Sequence, residues 1–368
     1  MTDVIIVLGT RPEIIKLSPI IRECERRKID YTLLHTGQHY SDNLDSVFFE
    51  QLELPVPDYN LEVGSKSQGK QTAEMISGIE KRLVEEEPDV LVVQGDTNSV
   101  LAGAIAASKL DTELAHVEAG LRSFDRGMPE ETNRVLTDHV GDYLFAPTEQ
   151  SAAHLLNEGI SEEKVYVVGN TVVDAVQQNS DLARQKSNIL SELGLNRGEY
   201  FLLTAHRASN VDDPFRFSSL LSGVNEAARS FDREVIYPIH PRARNTLEDA
   251  EIEVPENVRI IEPQDYLDFL TLQSGTELIF TDSGGVQEEA CILGVPCVTL
   301  RDSTERPETV EVGANTLSDL SKQSIKQNAN KMYNSRSNWD NPFGDGNVSN
   351  RIVNEIHSKP IVSLNNKR

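Results

Sequence analysis

Cysteine, tryptophan and long apolar runs are all scarce in this chain of 368 residues. Cys24, Cys291 and Cys297 form no Cys-x-x-Cys pair, so neither a disulfide framework nor a cysteine-based zinc site is supported. No stretch approaches the ~18 consecutive apolar residues of a membrane span, and membrane insertion is not expected. The first nine residues lack the basic start and cleavage site of a signal peptide and read directly as a strand. A cytoplasmic location is therefore expected. The phosphate-loop spacing GxxxxGK[ST], the dinucleotide fingerprint GxGxxG, the zinc motif HExxH and the nucleophile elbow GxSxG are all missing.

Positive charge is also in short supply. Lys and Arg number 35 against 59 Asp and Glu, a formal net charge of −24. No basic stripe is available to displace counterions, so nucleic acid and anionic membrane surfaces are not expected partners. A small anionic ligand needs only a local positive pocket and stays open. The acidity is spread along the chain: residues 1–170 hold 15 basic and 30 acidic groups, the remainder 20 and 29.

What the chain does have is a long alternation of short apolar runs and amphipathic stretches. Strands are expected at residues 4–9, 31–37, 90–96, 114–120, 143–147 and 165–169, then at 201–206, 235–240, 258–262, 278–282 and 296–300. Continuous apolar runs of this length suit parallel strands covered on both faces. Between them, segments such as 72–87 and 99–109 are long enough for crossover helices. Two such series predict two doubly wound domains, residues 1–170 and 171–350, with a loop over 335–350 and a last helix at 350–357.

In open α/β sheets ligands bind at the carboxyl ends of strands, and the unusual polar residues gather there, which suggests one cleft between the domains. Thr281-Asp282-Ser283-Gly284-Gly285 follows a strand and opens a helix, where glycines and free N–H groups suit a phosphate, with Glu289 about one turn on. A plain turn with an acidic first helical turn is the alternative. Arg11 and Lys16, after the first strand, suit a pyrophosphate or a solvated helix start. Asp96, Glu118 and Glu131 stand at or just beyond strand ends, where facing carboxylates can push one pKa up and leave another ionised. Capping and surface solvation are the alternative for each. His206, beside Arg207, suits a donor to a leaving phosphate or a buried structural histidine.

Eight strings in order resemble one family over nearly the whole chain. They are Gly9-Thr10-Arg11-Pro12-Glu13, Gln94-Gly95-Asp96-Thr97, the segment 116–123, Pro129-Glu130-Glu131-Thr132-Asn133-Arg134, Thr204-Ala205-His206-Arg207, Pro263-Gln264-Asp265-Tyr266, and the segments 281–289 and 301–308. Together they resemble the non-hydrolysing UDP-N-acetylglucosamine 2-epimerases. The resemblance implies the GT-B fold, two Rossmann-like domains facing a central cleft, with a C-terminal helix (about 351–368) crossing back to the first domain. It implies interconversion of UDP-GlcNAc and UDP-ManNAc through 2-acetamidoglucal, with no cofactor or metal because no net oxidation occurs, and with domain closure on binding. Asp96, Glu118, Glu131 and His206 would be catalytic. Arg11, Lys16, Ser283, Gly284, Gly285 and Arg306 would hold the departing UDP, Gln264 and Phe269 the uracil, and Glu289 the ribose. A homodimer is also implied.

Two departures accompany the match. Ser209 stands where the family commonly carries Glu, and Lys70 where Arg is frequent. Some members are activated by a second UDP-GlcNAc, which here would meet Gln38, His39, Lys70 and Arg207. Rival readings are a hydrolysing epimerase, a UDP-diacetamido-uronate 2-epimerase, a glycosyltransferase of the same fold and a nucleotide-sugar binding module. The string Gly120-Leu121-Arg122-Ser123 favours the simple GlcNAc substrate. If the acidic surface is an adaptation to a salty cytoplasm, the melting temperature should rise steadily across a KCl series into the molar range. A flat or falling series marks an ordinary acidic enzyme.

Overall fold

The computed structural model describes residues 3–37, 42–335 and 338–358. The chain divides into two units, Met1–Ala175 with Phe343–Arg368, and Val176–Pro342. In the first, β1 (Val4–Leu8), α1 (Arg11–Arg27), β2 (Tyr31–His35), α2 (Asp42–Gln51) and β3 (Tyr59–Asn60) come in turn. They are followed by α3 (Gln68–Glu86), β4 (Val90–Gln94), α4 (Asn98–Ala107), β5 (Glu113–Val117) and α5 (Pro129–Val140). β6 (Tyr143–Ala146), α6 (Glu149–Asn157), β7 (Val165–Val167) and α7 (Thr171–Lys186) complete the run.

The second unit begins within α7 and continues with α8 (Ile189–Leu193), β8 (Tyr200–Thr204), α9 (Ala208–Val211), α10 (Pro214–Ser230) and β9 (Glu234–Pro238). Then come α11 (Pro241–Asp249), β10 (Val258–Ile261), α12 (Tyr266–Gly275), β11 (Leu278–Thr281) and α13 (Gly284–Leu293). β12 (Cys297–Thr299), α14 (Pro307–Glu311), β13 (Asn315–Leu317) and α15 (Lys322–Tyr333) end it, and α16 (Val348–Ser358) returns to the first unit.

Each unit holds one all-parallel sheet, ordered β3-β2-β1-β4-β5-β6-β7 and β10-β9-β8-β11-β12-β13. The central strands are sequences such as Val-Ile-Ile-Val-Leu, every residue of which is buried, because helices cover both faces. Strand order reverses between β1 and β4 in one sheet and between β8 and β11 in the other. Crevices open at such points. The first unit's core gathers Ile5, Val7, Leu91 and Val93 under Met75 and Ile79 of α3. In the second, Phe201, Tyr237 and Phe280 pack beneath Leu220 and Val224 of α10.

The strand expectations hold for the long apolar runs, with carboxyl ends trimmed by one to three residues and β5, β8 and β9 starting one residue earlier. β3 and β13 were not anticipated: Tyr59-Asn60 and Asn315-Thr316-Leu317 stand in no continuous apolar run. The last helix is longer at both ends than 350–357. The unit division, at 175/176 and 342/343, differs from the sequence expectation of 170/171 and 350/351. The cause is local pairing. The Asn170 N–H donates to the Phe343 carbonyl at 2.8 Å. Asp174, 1 % exposed, accepts the Val348 and Ser349 N–H groups and the Ser349 hydroxyl at 3.2, 2.9 and 2.7 Å. α16 also meets α1, through Arg27 on Asn354 at 2.7 Å.

Asp174 therefore caps α16 from 174 residues away in sequence. Asp174→Ala leaves buried N–H donors unpaired and should destabilise the first unit by about 2 kcal/mol. Denaturant melts and proteolysis near residue 343 measure the loss.

Candidate active site

At the first reversal of strand order, three loops follow β1, β4 and β5. Thr10 begins α1 and Pro12 occupies its first turn, where a missing N–H costs nothing. Glu13, 2 % exposed, accepts from the Gly9 N–H at 2.8 Å, the Thr10 hydroxyl at 3.0 Å and the Thr97 hydroxyl at 2.5 Å. Burial pushes its carboxyl up to about 7, against the opposing pull of these donors. Arg11 is exposed, its guanidinium 6.0 Å from the centre of the Phe48 ring.

Lys16 reaches from α1 to Glu118, Nζ to Oε1 2.6 Å, with both side chains largely shielded. Glu118 also accepts from Asn170 Nδ2 at 2.7 Å and from Gln94 Nε2. It stands one residue beyond β5 at φ 68°, in the left-handed region. That strain is characteristic of functional positions held by their surroundings.

Those surroundings are a buried charge network. The His116 ring, fully buried, meets Asp138 at Nδ1 (2.7 Å) and the Gly95 carbonyl at Nε2 (2.8 Å). Asp138 also receives Arg122 at 2.7 Å and the Gly120 N–H at 3.2 Å. Burial alone would raise Asp138, but His116 and Arg122 beside it hold it below the usual carboxylate range. Gly120 has φ 79°, and a Cβ there would sit 2.2 Å from the Ser151 carbonyl oxygen, so no other residue fits.

Asp96 and Glu131 share Arg134. Nη1 lies 2.8 Å from Glu131, and Nη2 pairs with Asp96. Glu131 further accepts the Ser123 N–H and hydroxyl and the Phe124 N–H at 2.9, 2.8 and 2.9 Å. Burial works to raise it, but these donors outweigh that and leave it lowered. Glu131 is thus displaced downward, whereas Glu13 is a raised carboxyl of this region. Its signal was present as the Thr10-x-x-Glu13 capping-box pattern, but nothing in that pattern shows burial.

At the second reversal, His206 follows β8 and is oriented by Asp282, Nδ1 to Oδ1 3.0 Å, while 44 % of its side chain stays exposed. Asp282 is fully buried and also accepts the His206 and Arg207 N–H groups at 3.1 and 3.0 Å and Asn210 Nδ2 at 3.2 Å. Burial would raise it, yet His206 and the backbone donors hold it low. Ser283 occupies the N-cap position of α13 without a side-chain capping bond, and a Cβ at Gly285 would meet nothing within 4 Å, at Gly284 only Glu305 at 4.0 Å. These glycines leave open space before the helix start, where N–H groups favour an anion.

The other expected binding residues lie nearby in sequence but are already engaged. Gln264 donates to the Glu262 carbonyl at 2.7 Å, and Phe269 packs against the cluster around Leu272 and Val286. Glu289 accepts from Gln273 at 2.6 Å. The Arg306 guanidinium sits 2.6 Å from buried Glu288 and is a paired cation. Arg207 lies 3.7 Å from Glu305. Of the expected activator contacts, Gln38 and His39 lie outside the described residues, and Lys70 is exposed on α3. Among the described residues, no group of three His, Cys, Asp or Glu is arranged to hold a metal ion.

Two all-parallel sheets, with cations and carboxylates gathered where each strand order reverses, define an α/β chain of the GT-B-like class. A family model described as UDP-N-acetylglucosamine 2-epimerase matches residues 22–357. The UDP-N-acetylglucosamine 2-epimerase of Methanocaldococcus jannaschii is 55 % identical over 95 % of this chain and 97 % of its own. Its crystal structure in complex with UDP-GlcNAc and UDP superposes with a TM-score of 0.85 at 54 % identity, covering 97 % of this chain and 100 % of that one. The UDP-2,3-diacetamido-2,3-dideoxy-D-glucuronate 2-epimerase of Pseudomonas aeruginosa is 40 % identical over 95 % of this chain and 98 % of its own. The chain belongs to the UDP-N-acetylglucosamine 2-epimerase family.

Asp138→Ala would strand buried His116 and Arg122 and should destabilise the chain by about 3–5 kcal/mol in urea melts at neutral pH. Because folding lowers this carboxyl, its contribution is present above the unfolded value of about 3.9. It is lost as pH falls through the lowered folded value. The gap between wild type and variant should therefore narrow in acid.

Proposed function

We propose that this chain interconverts UDP-GlcNAc and UDP-ManNAc. A carboxylate takes the proton from C2 as the C1–O bond to UDP breaks and a C1–C2 double bond forms. UDP then adds back at C1 while C2 is reprotonated on the opposite face. The observation that carries this reading is the gathering of Lys16–Glu118 and Asp96–Arg134–Glu131 around one strand reversal, in a chain 55 % identical to a UDP-N-acetylglucosamine 2-epimerase. The C2 hydrogen is too weakly acidic to leave unaided, so a base and a stabilised leaving group must act together.

Asp96 and Glu118 are assigned the proton transfers. Glu131 with its four donors holds the segment 123–124 and Arg134. Lys16 balances Glu118, and Arg11, exposed beyond β1, is assigned to phosphate. In the second unit, His206, aimed by Asp282, is assigned to the departing phosphate oxygen. Ser283, Gly284 and Gly285 are assigned to the pyrophosphate, with Arg306 beside them through its pair with Glu288. Gln264 and Phe269 are assigned to the uracil, and Glu289 to the ribose.

Arg122 is 1 % exposed and bound to Asp138 and Glu158, and it is assigned to holding the β5 loop. A cytoplasmic setting fits three buried, unpaired cysteines. Among the described residues no helix is long and apolar enough to cross a membrane. The homodimer implied by family resemblance is part of the proposal, and light scattering tests it.

Incubation with UDP-GlcNAc in deuterated water should yield UDP-ManNAc labelled at C2. Free N-acetylmannosamine with UDP would assign the hydrolysing reaction, and no C2 label would remove both. Asp96→Asn and Glu118→Gln should each lower kcat by at least about 100-fold, the scale of a lost acid or base.

A further inference from the structure

Glu13 is a buried carboxyl that the reaction above leaves without a role. A capping-box glutamate ordinarily reaches back to its own helix start and no further. Glu13 does more. Oε2 takes the Gly9 N–H and the Thr10 hydroxyl, whereas Oε1 takes the hydroxyl of Thr97, 84 residues away. That same Thr97 oxygen accepts the Val100 N–H at 3.4 Å and so starts α4.

The two loops are also pressed together. A Cβ at Gly9 would fall 2.2 Å from Thr36 Oγ1 and 2.3 Å from Ser99 Oγ, and those hydroxyls bond each other at 2.8 Å. One carboxyl thus links the segment that leads into Arg11 to the segment that carries Asp96.

We propose that Glu13 is a positioning residue that clamps the β1 and β4 loops together and thereby sets Asp96 and Arg11 for the reaction. This rests on the epimerase reading above. Ionised, Glu13 accepts from an N–H and two hydroxyls at once; a proton on it forces one hydroxyl to turn from donor to acceptor, so the clamp is tightest when Glu13 is ionised. Its displacement to about 7 puts that change near neutral pH. The charged groups that flank it on the elements it joins are Arg11 and Lys16 in the first two turns of α1 and Asp96 after β4; the remaining charged residues of α1, Arg22 to Arg27, lie two turns or more further on. Lys16 is paired with Glu118 and Asp96 with Arg134.

Glu13→Gln imitates the protonated form. It should lower kcat about 10-fold with KM changed less than about 3-fold, since small misplacements of reacting groups cost rate more than binding. The fall of kcat as pH drops through about 7, present in wild type, should be absent from the variant. Thr97→Val should reproduce the loss, Thr97→Ser should restore it, and the double variant should be little worse than either single one. Hydrogen exchange should rise over both residues 8–11 and 96–100.

Exchange that rises only over residues 8–11, or wild-type kcat and pH profile in Glu13→Gln, would overturn the clamp. Should Glu13→Gln fail to fold, the Thr97→Val and Thr97→Ser pair decides by the same readouts. A wild-type protein inactive on UDP-GlcNAc would overturn the epimerase reading instead, and the exchange measurement would still judge the clamp.

Discussion

Parallel strands that depart from a central pair in opposite directions leave no connection to cover their carboxyl ends, and this constraint organises both units. β1 and β4 diverge in one sheet, β8 and β11 in the other. Every loop that carries candidate chemistry in the first unit follows β1, β4 or β5, and the central pair of the second unit carries His206 and Asp282. The backbone there cannot pair within the sheet, so its N–H groups seek side-chain acceptors. Glu13 and Asp282 answer that need, each fully or nearly buried: Glu13 accepts from the loops after β1 and β4, and Asp282, itself after β11, accepts from the loop after β8.

Charge within these loops is balanced almost group by group. Lys16 meets Glu118, Arg134 joins Asp96 to Glu131, and His116 and Arg122 converge on Asp138. Buried charges are tolerated only when paired and hydrogen-bonded, so the net charge of −24 cannot reside here. It belongs to the outer faces, where acids are solvated. Local pairing explains how a strongly acidic chain can present cations to a pyrophosphate: the cations are present but mostly partnered, and Arg11 stays exposed.

The long apolar runs were legible because a strand covered on both faces must be apolar throughout, as β1 and β4 are. β3 and β13 were not, since Tyr59-Asn60 and Asn315-Thr316-Leu317 lie in no continuous apolar run. Strand-end placement drew attention to Asp96, Glu118 and His206, but position along a chain says nothing of partners. Only the fold shows that Arg122 is a buried strut bound to Asp138 and Glu158, that Arg306 faces Glu288, and that Glu131 is held by four donors.

The order of apolar runs and the eight motif strings were enough to establish two parallel-sheet domains, the family, and which residues deserved attention. The domains follow from periodicity and the family from the likeness of the strings to known relatives, both of which a linear chain displays. Which carboxyl is buried, which cation is neutralised and which residue joins two loops depend on groups brought together across 84, 102 or 174 positions. A pKa or a strained φ arises from such neighbours, and only folding supplies them.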